Sequence, residues 1–159
     1  MSLSVGNQAP DFTLHNHKGD KVALSSLKGQ NVVLLFFPFA NTGVCTKEMC
    51  TFRDGMSLYN DLNAKVLGIS VDSPFSLSLW AEKNNLQFDL LSDFNKTVIK
   101  DYESYTEVFG AGKWDFNGVS KRSAFVVDKE GFIRYKEILP TPGEEPNYDA
   151  IKKALESLS

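Results

Sequence analysis

The sequence predicts an α/β domain with a mixed β-sheet, helices on both faces and a β-hairpin at the N-terminus. Three observations predict it. Two apolar runs, "NVVLLFF" (residues 31–37) and "KVLGISVD" (65–72), are long enough and β-branched enough for strands buried on both faces. Segments with apolar residues at three- and four-residue spacing alternate with such runs. Hairpin patterns stand at each end of the chain.

Each element follows in order. "DFTLHNHKGDKVAL" alternates apolar and polar residues around Lys18-Gly19-Asp20, which reads as a hairpin. "SSLKG" is a short turn closed by Gly29. Pro38 ends the first buried run, because proline cannot donate to a sheet ladder. From Val44 to Leu62 the pattern turns helical, with Cys45, Met49, Phe52, Met56 and Tyr59 in helical register. Ser73-Pro74 is an N-cap followed by proline at the first helical position. The helix behind it aligns Leu77, Trp80 and Ala81. "FDLLSD" leads into a helix with Val98, Ile99 and Tyr102. "FGAGKWDFNGVSK" is glycine-rich and reads as a loop. "SAFVVD" and "FIRYKEI" flank Lys129-Glu130-Gly131 as a second hairpin. "TPGEEPN" is a loop, and Tyr148 to Leu158 is a closing amphipathic helix.

Bulk properties narrow the function. The chain has 159 residues, 42% hydrophobic and 23% charged, with a net charge of −3. We read residues 1–159 as one domain, because there is no repeat, low-complexity tract or long linker. Acids and bases are interspersed, so nothing points to nucleic acid or a membrane surface. The longest apolar run is too short to span a bilayer, and "MSLSVGNQAPDF" lacks the pattern of a signal peptide. The expected compartment is therefore the cytoplasm. There, two cysteines are not expected to form a structural staple, and any bond between them would be transient and chemical.

Both cysteines lie in "FFPFANTGVCTKEMC". Cys45 falls just after a buried strand and in the first turn of a helix, where α/β folds gather their chemistry. Free amides and the positive end of the helix dipole favour a thiolate at that place. The plainer reading is a buried cysteine acting as a small hydrophobe. Thr42 sits at the strand-to-helix turn, where its hydroxyl can donate to a thiolate or substrate oxygen, or accept from an amide as an N-cap. Pro38 can limit solvent access to the sulfur, and Gly43 supplies backbone freedom.

Pro38, Thr42 and Cys45 in "PFANTGVC" resemble the P-x-x-x-T-x-x-C signature of peroxiredoxins. "VGNQAPDFTL", "VLGISVDSP", "FDLLSD" and "KRSAFVVDKEGFIRY" extend the resemblance over nearly the whole chain. It implies a thioredoxin-like fold and peroxide reduction without metal, haem or other cofactor. It also selects a distant residue: Arg122, in "SKRSAF", matches the family's active-site arginine. Residue statistics alone would leave Arg122 on the surface. Glu48 matches a glutamate that orients that arginine, although a first-turn acid favoured by the helix dipole explains it as well. Arg53, on the Cys45 helix, is expected to support the site indirectly.

The reaction implied is attack of the Cys45 thiolate on a peroxide, leaving an alcohol or water and a Cys45 sulfenic acid. Arg122, the Thr42 hydroxyl and the Cys45 amide would stabilise the developing charge. The C-x4-C spacing resembles the bacterioferritin-comigratory or Q subgroup, in which the second cysteine, here Cys50, resolves the first. Helix geometry objects. Five residues rise about 7.5 Å, and the Cα atoms stand about 8–9 Å apart against roughly 4.4–6.8 Å in a disulfide. The bond needs the helix to unwind near its end. "TGVC" and "SKRSAFVVD" also resemble the AhpE-like subgroup, in which an external thiol resolves, so a one-cysteine cycle stays open. The implied partners are a peroxide and thioredoxin or another thiol reductant, with the chain a monomer or a homodimer.

Other readings are weaker. A thioredoxin-type reductase would carry C-x-x-C, which is absent. His15 and His17 with the two cysteines match no zinc spacing and read as exposed turn residues. A redox sensor or holdase on the same fold would keep Cys45 and lose turnover. Among the aromatics, Trp80 reads as core, and Phe39, beside the site in sequence, as the pocket candidate.

Overall fold

The computed structural model describes residues 2–158. The N-terminal hairpin forms as expected from β1 (Thr13–Asn16) and β2 (Lys21–Ala23), with Gly19 at φ 88° in its turn. A single 3₁₀ turn, Leu24–Leu27, leads to β3 (Asn31–Phe36), all six residues of which are buried.

The helical stretch after β3 is two helices: α1 (Gly43–Asp54) and α2 (Met56–Asp61). Gly55 divides them at φ −96° and ψ 9°. Its N–H donates to both Thr51 O and Phe52 O at 3.2 Å, and a Cβ there would stand 3.4 Å from the Tyr59 ring. β4 (Ala64–Ser70) follows, then α3 (Pro74–Lys83). The Ser73 hydroxyl caps α3 by accepting from Ser76 N–H, with Pro74 at the first helical position, as the sequence predicts.

β5 (Asp89–Ser92) and the short α4 (Thr97–Asp101) come next. The glycine-rich segment is more ordered than a plain loop. β6 (Tyr105–Thr106) pairs antiparallel with β7 (Val119–Ser120), and Phe109 bridges to Phe116. β8 (Ser123–Val127) and β9 (Ile133–Ile138) form the second hairpin. α5 (Tyr148–Glu156) closes the chain, capped by the Asn147 side chain.

The main sheet runs β2-β1-β5-β4-β3-β8-β9. β3, β4 and β5 are parallel, and the hairpins join antiparallel at either side. β3 shows why both faces are apolar. Val33 and Leu35, with Phe37 beyond its end, enter one core cluster with Met49, Phe52, Trp80 and Leu155. Val32, Leu34 and Phe36 enter the other, with Leu67, Tyr102 and Phe125. Alternation of side chains across the pleat makes that division. Each fully buried aliphatic or phenyl group contributes about 1.5–3 kcal/mol.

Register carries the functional consequence. β8 is antiparallel to β3, with Ser123 opposite Phe36. The residue just before β8 therefore lies beside the residues just after β3, although they are far apart in sequence.

Candidate active site

The turn after β3 is pinned before it reaches Cys45. Phe37 N–H donates to Ile69 O at 3.0 Å. Ala40 N–H donates to Asp72 Oδ2 at 2.8 Å, and the same oxygen accepts from the Ser70 hydroxyl at 2.6 Å. One carboxylate thus ties the turn to the carboxyl end of β4. The left-handed residue is Asn41, at φ 64°. Asparagine tolerates that conformation. Gly43, expected to supply the freedom, is instead the first helical residue.

Thr42 is the N-cap by its backbone: its carbonyl accepts from Thr46 N–H at 3.0 Å. The amides of residues 43–45 precede that first ladder bond, so α1 does not use them. The Thr42 side chain does not cap the helix, contrary to one expectation. Its hydroxyl donates to Phe39 O at 2.8 Å and is exposed. With its proton engaged there, the oxygen offers lone pairs to an incoming group.

Cys45 is the third residue of α1 and only 1% exposed. Arg122 Nη2 donates to Cys45 Sγ at 3.3 Å and to Pro142 O at 2.8 Å, while Nη1 donates to Glu48 Oε1 at 2.7 Å. The surface placement that residue statistics give Arg122 does not hold. Its side chain is 1% exposed and that of Glu48 is 0% exposed. Glu48 lies one helical turn beyond Cys45 on the stripe with Met49 and Phe52, so an acid occupies a core-facing position and needs a buried cation.

Burial pushes the Glu48 carboxyl up to about 7, against the pull of Arg122, and the nearby Glu137 and Glu145 add to the rise. For Arg122 burial acts downward, but the Cys45 sulfur and the Glu48 carboxyl outweigh it, and the guanidinium is held in its charged form. Among the described residues, Glu48 Oε2 and Arg122 Nε have no hydrogen-bond partner. The pair is therefore costly to break: removing one partner of a buried ion pair costs about 3–5 kcal/mol.

Pro38 is buried and lines a cavity of about 120 Å³ together with Arg122, Val108, Phe109, Leu139 and Pro142. Phe39 is not in that wall. It packs edge-on against Phe109 at 5.4 Å and Phe116 at 5.9 Å, and faces a separate groove. A larger groove of about 650 Å³, beside β1 and the start of α4, includes neither Cys45 nor Arg122.

Cys50 lies on another side of α1, half-buried, with Sγ 3.9 Å from Asn84 Oδ1. Both thiols are free, and α1 is continuous through both. Arg53 turns away from Cys45: Nη1 donates to Asn84 O at 2.7 Å, and Nε donates to Asp54 at 3.0 Å. The expected indirect support of the Cys45 site by Arg53 is not found. His15 is exposed, but His17 is half-buried and its Nδ1 accepts from Leu90 N–H at 3.2 Å. Burial lowers the His17 pKa, partly offset by Asp89. Among the described residues no group of three or more His, Cys, Asp or Glu side chains is arranged to hold a metal ion. None of their helices is long and apolar enough to cross a membrane.

A buried cysteine at a helix start, in contact with a buried arginine at the end of a thioredoxin-like sheet, defines a class, and comparison with known proteins gives its family. The AhpC/TSA family model matches residues 5–136, and the chain belongs to that family. It is a peroxiredoxin, a thiol-dependent peroxidase. It is 41% identical over 133 residues to a peroxiredoxin named bcp from Coxiella burnetii, covering 84% of this chain and 87% of the relative. It is 37% identical over 145 residues to alkyl hydroperoxide reductase E of Mycobacterium bovis, covering 89% of each. The crystal structure of peroxidoxin BcpB from Mycobacterium tuberculosis superposes with a TM-score of 0.85 at 28% identity, covering 99% of each chain. Its thiol-dependent chemistry implies a peroxide substrate and a thiol reductant.

Sequence reasoning missed three contributors: the Pro142 carbonyl, the Asp72 clamp and Asn84 beside Cys50. Only Asp72 left a trace, as a polar residue closing the second buried run.

Proposed function

We propose that Cys45 is the peroxide-reacting residue of this peroxidase, served by Arg122, Thr42 and Pro38, with Glu48 as support. The observation that carries this is the Arg122 Nη2 to Cys45 Sγ contact of 3.3 Å. The Cys45 thiolate attacks the terminal oxygen of ROOH. An S–O bond forms, the O–O bond breaks, and RO⁻ leaves and takes up a proton. Cys45 becomes a sulfenic acid.

Charge moves from sulfur across two oxygens, so fixed donors along that line lower the barrier. Arg122 supplies a charged N–H at the sulfur through Nη2, and the Cys45 amide supplies a second donor. The Thr42 oxygen, with its own proton engaged by Phe39, accepts from the peroxide O–H and orients it. Pro38 and the apolar wall beside Arg122 keep water away from the reacting atoms.

Cys50 then resolves the sulfenic acid. Its thiolate attacks Cys45 Sγ, the S–S bond forms, and the hydroxyl leaves as water with the proton given up by Cys50. Thioredoxin reduces the disulfide. The 159 residues act as one domain, in the cytoplasm, as a monomer or a homodimer. An external thiol in place of Cys50 is the second reading, favoured by α1 being fully wound with both thiols free.

A peroxidase assay of wild type, Cys45→Ser and Cys50→Ser with several reductants tests this. Cys45→Ser should lose all activity. Cys50→Ser should keep the first oxidation and lose thioredoxin-dependent turnover. Full activity in Cys45→Ser would sink the assignment.

A further inference from the structure

One stripe of α1 is bonded to α3 and takes no part in the attack on peroxide. Thr46 Oγ1 accepts from the Trp80 indole N–H at 3.1 Å. The Cys50 thiol faces Asn84 Oδ1 at 3.9 Å, and Arg53 Nη1 donates to Asn84 O at 2.7 Å. Residues 46, 50 and 53 are spaced by four and three, so they share one side of the helix. Their partners on the α3 side are coupled as well. Asn84 is the C-cap of α3, and its Nδ2 donates to Trp80 O at 3.0 Å, which turns Oδ1 toward Cys50. Trp80 is 1% exposed and packs on Phe37 at 5.2 Å, so it cannot follow α1 outward.

Cys45 and Cys50 cannot bond while α1 is wound, because their Cα atoms stand about 8–9 Å apart. The Thr46–Trp80 and Cys50–Asn84 contacts lie within the turns that must open. The Arg53–Asn84 bond lies beyond them and holds the last turn of α1 in place. We propose that Trp80 and Asn84 latch α1 in its wound form and so set how long the Cys45 sulfenic acid survives before Cys50 closes on it. This rests on Cys50 being the resolving residue. Thr46 and Asn84 are then positioning residues for the second chemical step. The latch also sets the exposure of the enzyme to a second peroxide. That peroxide oxidises the waiting sulfenic acid to a sulfinic acid and is itself reduced to an alcohol or water.

The test uses the full chain, with Trp114→Phe as background so that Trp80 alone reports. Stopped-flow fluorescence with hydrogen peroxide follows oxidation and resolution, and acid-quenched mass spectrometry assigns each phase. Thr46→Val and Asn84→Ala should leave the peroxide-dependent phase within about twofold and speed the peroxide-independent phase about three- to tenfold, the scale of one lost hydrogen bond. Both should need correspondingly more peroxide to reach the sulfinic acid. Thr46→Ser, which keeps the hydroxyl, should behave as wild type. The two variants remove opposite sides of the latch, so misfolding of one leaves the other informative. A disulfide that forms in wild type with an unchanged or slower second phase in Thr46→Val and Asn84→Ala overturns the latch alone. A wild type that never loses two mass units overturns the Cys50 reading, and the latch with it.

Discussion

Arg122 and Glu48 are paired at 2.7 Å, Nη1 to Oε1, with side chains 1% and 0% exposed. The pair joins the start of β8 to α1 across 74 residues of sequence. It fixes one arm of the guanidinium, while the Pro142 carbonyl and the Cys45 sulfur share the other. The cation beside the sulfur is therefore held from three directions before any substrate arrives.

Arg122→Lys keeps the charge and loses that geometry. An ammonium group cannot reach Cys45, Glu48 and Pro142 O with the fork of a guanidinium. The second-order rate of Cys45 oxidation should fall by about 10²-fold, the scale of a lost oriented donor. Stopped-flow oxidation measures it, and a rate within about threefold of wild type would refute the role of the fork.

Glu48 gives stability a pH dependence of known sign. Burial raises its carboxyl from 4.5 to about 7, so the folded state binds more protons than the unfolded state between those values. Stability from this group is then greatest at the acid end and falls as pH rises through the window. Glu48→Gln removes the titration. Urea midpoints measured between pH 5 and 8 should decline less steeply with pH in Glu48→Gln than in wild type.

Gly68→Ala tests the packing beneath α1. A Cβ at Gly68 would stand 2.7 Å from Leu90 Cδ2, 3.3 Å from Phe37 and 3.4 Å from Met49 Sδ. Overpacking of this kind costs about 1–3 kcal/mol. Urea denaturation should show that loss, and an unchanged midpoint would mean that Met49 and Leu90 move aside freely.

The sequence carried much of this fold in readable form, and for physical reasons. β3 and β4 announce themselves because both faces are buried, so apolar residues run through their centres and the polar ones, Asn31, Lys65 and Ser70, stand at or next to their ends. Ser73-Pro74 announces α3 because cap chemistry is local. Strand order is different: nothing near residue 13 says that β1 will pair with β5. Arg122 was legible only through family resemblance, since its burial depends on a partner that the chain meets by folding. Glu48 did leave a local signal, an acid on the apolar stripe of α1. His17 and Arg53 misled because half-burial and a backbone carbonyl partner leave no mark on spacing.

Gly55 limits how far a chemical event at Cys45 can travel. Helix melting propagates residue by residue, and a break between helices stops it. α2 is anchored through Tyr59, which is buried in the core cluster next to β4 and stacks on Phe52 in the last turn of α1 at 5.1 Å. The turns of α1 from Gly43 through Cys50 can therefore lose their amide protection as a unit while its last turn, held by Arg53 and Phe52, keeps its own together with α2 and the sheet. Oxidation of one sulfur would then register in hydrogen exchange as a sharply bounded patch, ending short of Gly55, and not as a general loosening of the protein.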